Sequence, residues 1–234
     1  MRGVQIETLI DGLVLPEGPR WRNGALWFSD IWDDRVCRLS PEGACVTVAR
    51  LAQPSGLGWL PDGRLLVVAM GARQVFRQEP DGELVVHADL SPFADWPCND
   101  MVVASDGTAY VGHFGWDRQH GTTEPMAASV LRVQPNGAVD VAADDMLFPN
   151  GMAITADGAT LIVAESSASK VTAFDRRADG SLANRRVLPT SLVLPTTRDA
   201  KPYVPTASAS TPTELCGCPT PRAAECCACS TAAR

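Results

Sequence analysis

The chain has 234 residues, a formal net charge of −7 and a soluble-protein balance of 45% hydrophobic and 20% charged residues. The acidic balance argues against nucleic acid or an anionic membrane surface as partner. No run of about 18 apolar residues occurs, and the first fifteen positions lack a basic start followed by an apolar core, so neither a membrane span nor a signal peptide is expected. Cytoplasm is the expected location.

Val4–Leu9 alternates apolar and polar residues and predicts a strand that completes a last blade and closes a ring. From Glu17 onward one phrase recurs: a polar corner, a short apolar run, a turn ending in Gly, and a second apolar run. Glu17-Gly18 leads into Asn23-Gly24 and Leu26–Phe28. Gly56–Trp59 leads into Asp62-Gly63 and Leu65–Val68. Asn99–Val103 leads into Asp106-Gly107 and Ala109–Val111. Pro149-Asn150-Gly151 leads into Asp157-Gly158 and Leu161–Ala164. Two short apolar runs around Asp-Gly or Asn-Gly read as a hairpin, because glycine accepts positive φ in the turn. The turn glycines Gly24, Gly63, Gly107 and Gly158 lie 39, 44 and 51 positions apart.

Each phrase has a second half. Val36–Leu39 precedes Glu42-Gly43, Val75–Arg77 precedes Asp81-Gly82, Val130–Val133 precedes Asn136-Gly137, and Val171–Phe174 precedes Asp179-Gly180. Four strands per unit at a period near 45 is the signature of a β-propeller blade. An ordinary β-sandwich with regular turns is the competing architecture. Gly115–Met126 breaks the pattern and predicts a loop over one face.

Residues 1–188 are therefore expected to form a partial propeller of about four blades. Thr190–Arg234 carries no blade phrase, six prolines and five of the eight cysteines: Cys216, Cys218, Cys226, Cys227 and Cys229. Taken literally, that cluster suggests a thiolate metal site or a disulfide knot. A slipped reading frame explains it better. If each codon borrows the last base of its predecessor, Pro205–Pro219 spells a corner, an apolar run, an Asp-Gly turn and a second apolar run. The stretch before Ser230 then yields Val-Leu-Arg-Val, the string at 130–133. Residues 189–234 are expected to be an out-of-frame, disordered tail whose cysteines carry no designed chemistry. The four encoded blades are expected to form an open, self-associating arc.

Propeller corners converge on the central channel. Glu17, Ser55-Gly56, Asn99-Asp100 and Asn150 occupy them, and a carboxylate with amide carbonyls supplies hard oxygen ligands. The local alternative is that Asn-Gly and Asn-Asp pairs are ordinary turn formers. His87, His113 and His120 are the only histidines, and none stands beside a nucleophile-elbow motif.

The corners Glu17-Gly18-Pro19, Asn99-Asp100 and Pro149-Asn150-Gly151, with Thr172–Asp175 and Asn184–Arg186, resemble the senescence marker protein, gluconolactonase and regucalcin family of six-bladed propellers over residues 5 to about 188. The resemblance implies a hydrolase of a small lactone or related cyclic ester with one divalent metal ion (Ca²⁺, Mg²⁺, Mn²⁺ or Zn²⁺). It implies Glu17 and Asn150 as metal ligands and Asn99 as a substrate contact. Two departures stand out. Pro97 occupies a position where some members grip a sugar acid with arginine. The later Pro-Asp-Gly corner carrying the family's catalytic aspartate occurs only in the shifted frame, so the chain as translated is expected to be inactive. A non-catalytic propeller binding a metal or metabolite is the alternative.

Overall fold

The computed structural model describes residues 7–117, 121, 124 and 126–189. They form four antiparallel four-stranded sheets, each a meander in chain order, arranged as blades of a β-propeller. Blade 1 holds β1 (Pro16–Arg22), β2 (Ala25–Asp30), β3 (Arg35–Leu39) and β4 (Cys45–Arg50). Blade 2 holds β5 (Pro54–Trp59), β6 (Leu65–Ala69), β7 (Gln74–Gln78) and β8 (Leu84–Asp89). Blade 3 holds β9 (Cys98–Val103), β10 (Ala109–His113), β11 (Ala128–Val133) and β12 (Val139–Met146). Blade 4 holds β13 (Pro149–Ile154), β14 (Thr160–Glu165), β15 (Lys170–Arg176) and β16 (Leu182–Val187). The first strands pack in sequence, β1 on β5, β5 on β9 and β9 on β13.

The Asp-Gly pairs act as expected. In the first hairpins of blades 2, 3 and 4, Gly63, Gly107 and Gly158 have positive φ, and their N–H groups donate to Leu60, Ala104 and Thr155 carbonyls at 2.9, 2.9 and 2.8 Å. The preceding aspartates, Asp62, Asp106 and Asp157, accept the N–H two residues on, at 3.0, 2.9 and 3.0 Å. Each turn is thus closed by a side chain and a left-handed glycine.

Alternate residues of each strand face neighbouring blades, and the core is a series of inter-blade layers. Val36 and Ala49 of blade 1 meet Leu57, Leu65 and Val67 of blade 2. Leu66, Val68 and Val75 meet Met101, Val111 and Leu131 of blade 3. Val102, Tyr110 and Val130 meet Met152, Leu161 and Phe174 of blade 4. At about 25 cal/mol per Å² of apolar surface, these layers are the principal favourable contribution to folding.

The N-terminal expectation needs correction. Residues 4–6 lie outside the described residues, and Glu7–Leu9 belongs to no strand. Ile10 and Leu13 instead pack on Phe28, Cys37 and Leu39, the face of blade 1 turned away from blade 2. Partly burying these two apolar side chains covers some of that face. The described part of the 115–126 linker forms no strand, but Trp116 is buried and sits edge-on to Phe148, with ring centres 5.7 Å apart. The expected tail, 189–234, lies outside the described residues apart from Pro189. Among the described residues no helix is long and apolar enough to cross a membrane.

Candidate functional site

The four corners share a backbone device. In every blade the ladder between the first two strands shifts register at its start, between Glu17 and Arg20, Pro54 and Leu57, Cys98 and Met101, and Pro149 and Met152. Two residues on the first strand therefore oppose one on the second: Gly18-Pro19, Ser55-Gly56, Asn99-Asp100 and Asn150-Gly151 are the bulged pairs. A bulge bends its strand and re-aims a side chain. In blades 2 and 3 the leading member, Ser55 or Asn99, reaches its counterpart in the next blade.

Those members form a continuous hydrogen-bonded chain. The Ser29 hydroxyl donates to the Ser55 carbonyl at 2.6 Å. The Ser55 hydroxyl donates to Asn99 Oδ1 at 3.0 Å. Asn99 Nδ2 donates to Asn150 Oδ1 at 2.5 Å, and Asn150 Nδ2 donates to the Ser166 hydroxyl at 3.1 Å. All four blades contribute, and every bond runs in the same sense. Ser29, Ser55, Asn150 and Ser166 are buried, while Asn99 is half-buried.

Glu17 occupies in blade 1 the place that Ser55, Asn99 and Asn150 hold in the others: each follows the residue, Pro16, Pro54, Cys98 or Pro149, that pairs with the last residue of the second strand. Its bulge begins one residue later than those of the other blades, so Glu17 itself pairs with Ser29. Gly18, which follows it, has φ +59°, and an added Cβ there would lie 3.0 Å from the Ser55 carbonyl oxygen. Glu17 thus joins the network through the strand pairing of Ser29. Asp100 also takes a different role from its neighbour. Its Oδ1 accepts from Arg20 Nη2 at 2.9 Å, an ion pair across blades 1 and 3 with both side chains buried.

An apolar collar flanks the network. Ile31, Met70 and Phe114 follow the second strands of blades 1 to 3, and they cluster with Trp116 and Phe148. The blade 4 residue at that place is Ser166, the end of the polar chain. Phe148 and Gln53, which precede the corner prolines, hold positive φ of 54° and 50°. Bulky side chains rarely tolerate this conformation. Bonds from Ser166 N–H to the Phe148 carbonyl and from Met70 N–H to the Gln53 carbonyl, both 3.0 Å, hold it in place.

A glutamate with two asparagine amides is a set of hard oxygen donors, which suits a divalent cation in kind. Among the described residues no three His, Cys, Asp or Glu side chains stand together as a ligating group. The donor set is therefore one carboxylate with neutral oxygens, fewer than the six to eight oxygens Ca²⁺ takes, so water must supply the rest. Two buried carboxylates nearby are committed elsewhere. Glu165 accepts from Leu147 N–H at 2.9 Å and Thr172 Oγ1 at 2.5 Å, with Lys170 Nζ at 3.3 Å. Asp30 accepts from the N–H groups of Val14 and Leu15 at 3.0 and 2.8 Å, and from Arg35 at 2.9 Å.

Ser29 and Ser166 were not singled out from the sequence. Each adjoins the end of a second apolar run, beside an acidic residue, as Ser29-Asp30 and Glu165-Ser166. That recurrence is the signal that could have found them. Among the histidines, His113 is buried, and burial lowers its pKa to about 4. His120 lies outside the described residues.

Several solved structures share this architecture. A gluconolactonase of Xanthomonas campestris is 28% identical, with a TM-score of 0.64 over 77% of this chain and 64% of its own. The calcium-binding protein regucalcin of Agrobacterium tumefaciens is 22% identical, with a TM-score of 0.62 over 75% and 59%. A luciferin-regenerating enzyme is 19% identical, with a TM-score of 0.64 over 75% and 61%. The last two establish the fold alone. The chain spans less than two thirds of the length of each of these three structures. No curated protein matches its sequence. The profile of the SMP-30/gluconolactonase/LRE-like region matches residues 15–193, and the chain belongs to that family.

Proposed function

We propose that the corner network is the polar floor of a lactone-binding site of gluconolactonase type, which holds a divalent cation and does not turn its lactone over in the chain as translated. The observation that carries this reading is the hydrogen-bonded run from Ser29 through Ser55, Asn99 and Asn150 to Ser166, its three middle members set on matching bulges, in a family-matched propeller.

Glu17 and Asn150 would hold the cation (Ca²⁺, Mg²⁺, Mn²⁺ or Zn²⁺), and Asn99 would contact the substrate. When bound, such an ion polarises a carbonyl and stabilises an oxyanion. This chain's own residues act as a preorganised scaffold. Ser55 fixes the Asn99 amide through Oδ1, which turns its Nδ2 toward Asn150. Hydrolysis further needs a base to take a proton from water as its oxygen adds to the carbonyl carbon, and an acid to protonate the departing ring oxygen. Asp100 is neutralised by Arg20, and Glu165 is committed to Leu147, Thr172 and Lys170. Neither is placed to serve as base, which favours binding over turnover.

Titration calorimetry with Ca²⁺ and Mn²⁺, alongside a pH-stat assay on a simple δ-lactone, tests this. The full chain should bind a cation, Glu17→Gln should weaken binding about tenfold or more, and ring opening should stay at the buffer rate. Lactone turnover that survives Glu17→Gln would overturn the reading.

A further inference from the structure

A cavity of about 580 Å³ lies at the end of blade 3 where β10 meets the corner and shares no residue with the corner network. Its walls bring together the aromatic rings of Phe93 and Trp96, the carboxylates of Asp95, Asp144 and Asp145, and the imidazole of His113. The volume falls within the range of small-molecule sites.

His113 ends β10 at the place where Asp30 ends β2 and Glu165 ends β14; each opposes the first residue of a corner, Cys98, Pro16 or Pro149. In blades 1 and 4 that carboxylate accepts N–H groups of the incoming chain, from Val14 and Leu15 or from Leu147. The imidazole of blade 3 is used differently. Its Nε2 accepts the Ser129 N–H at 3.0 Å, with the Ser129 hydroxyl at 3.1 Å. A backbone N–H can only donate, so Nε2 carries the lone pair and the neutral ring carries its proton on Nδ1.

That Nδ1–H is buried and has no hydrogen-bond partner among the described residues, in a side chain that is only 6% exposed and lines the cavity. Buried donors without partners are uncommon and call for an acceptor from outside the fold. Beside it, Asp95, Asp144 and Asp145 are exposed. The nearby guanidinium groups are turned to main-chain carbonyls: Arg73 to those of Ala94 and Asp95, and Arg185 to those of Asp144 and Asp145. The carboxylates thus keep their charge toward solvent, next to two aromatic rings. Carboxylates and aromatic faces together attract an organic ammonium group, while the imidazole N–H selects an oxygen acceptor.

We propose that this cavity binds a small amino alcohol or related organic cation, its ammonium against Asp95, Asp144, Asp145 and the rings of Phe93 and Trp96, its oxygen accepting from His113 Nδ1–H. The corner network takes no part, so the proposal stands apart from the lactone reading.

Saturation-transfer NMR on the full chain, which reads the ligand and tolerates large particles, provides the test with choline as probe. Choline should bind saturably with a Kd on the order of 1 mM or tighter. Its uncharged isostere 3,3-dimethylbutan-1-ol, and tetramethylammonium, which lacks the oxygen, should each bind about tenfold more weakly. The double substitution Asp144→Asn with Asp145→Asn, at exposed positions that leave the core intact, should weaken choline about fivefold or more. His113→Phe should abolish the preference for choline over tetramethylammonium. If that variant does not fold, the two ligand comparisons and the aspartate variant still decide. Absence of saturable choline binding, equal binding of the uncharged isostere, equal binding of tetramethylammonium, or indifference to the aspartate substitutions would each overturn the proposal.

Discussion

Asp100→Ala should be among the most destabilising single substitutions in the chain. Asp100 Oδ1 receives Arg20 Nη2 at 2.9 Å and its own neighbour's N–H, that of Met101, at 2.8 Å. Arg20 Nη2 also donates to the Met101 carbonyl at 2.6 Å, and Nη1 donates to the Pro19 carbonyl at 2.9 Å. Both side chains are almost fully buried, at 6% and 4% exposure. Removing the carboxylate leaves a guanidinium in the protein interior without its counter-charge, which typically costs about 3–5 kcal/mol. For a unit of this size each kcal/mol lowers Tm by about 2–4 °C, so the expected drop is about 6–20 °C. Urea unfolding monitored by circular dichroism should show a lower midpoint at unchanged slope. Replacing both partners, Arg20→Met with Asp100→Leu, should recover most of the loss, because an apolar pair needs no counter-charge. An Asp100→Ala effect below about 1 kcal/mol, or no recovery in the double variant, would refute the view that this pair locks blade 1 to blade 3.

Three further outcomes follow from buried groups. Burial holds the folded His113 pKa at about 4, below its ordinary 6.5, so its contribution is fully present above pH 6.5 and is lost as pH falls toward 4. The loss is on the order of 3 kcal/mol, and His113→Gln should flatten that part of a stability–pH curve measured by urea titration. Burial raises the Cys37 thiol to about 11 and the Cys98 thiol to about 12, whereas Cys45 is exposed. Iodoacetamide at pH 8 followed by mass spectrometry should therefore label Cys45 well ahead of those two. Gly112→Ala should cost about 1–3 kcal/mol or more, since its Cβ would lie 2.0 Å from the Pro149 carbonyl oxygen. Thermal unfolding compared with the unsubstituted chain measures it directly.

Much of the propeller is legible because its signals are local. A period-two apolar run bounded by Asp-Gly or Asn-Gly requires no knowledge of distant residues, and all four such hairpins form where the pattern predicts. What escapes is anything set by ladder register. Glu17 reads as the first corner beside Ser55, Asn99 and Asn150, but only the strand pairing shows that its bulge begins one residue later and sets it opposite Ser29. Arg20 and Asp100 are 80 positions apart, and no local pattern joins them. His113 resembles any buried histidine until the ladders place it level with Asp30 and Glu165. The Val4–Leu9 alternation is a genuine strand pattern, but a strand also requires a ladder partner, and Glu7–Leu9 has none among the described strands.

The bulges explain why the corners need small or amide residues. Each bulge brings its strand within reach of the next, so Gly56 has no room for a side chain: a Cβ there would lie 2.3 Å from the Met101 nitrogen. The other bulge position must point along the ring and both donate and accept, because it passes the chain from one blade to the next. A serine hydroxyl or an asparagine amide can do both, whereas a carboxylate accepts only. A carboxylate at Asn99 or Asn150 would end the run, since neither could then donate to its successor. Blade 1 has Glu17 at this position, and Ser29 on the neighbouring strand starts the chain in its place. That leaves negative charge to enter beside the run rather than within it, which is where Glu17 stands. The same requirement that keeps the floor continuous and neutral therefore confines charged chemistry to its edge.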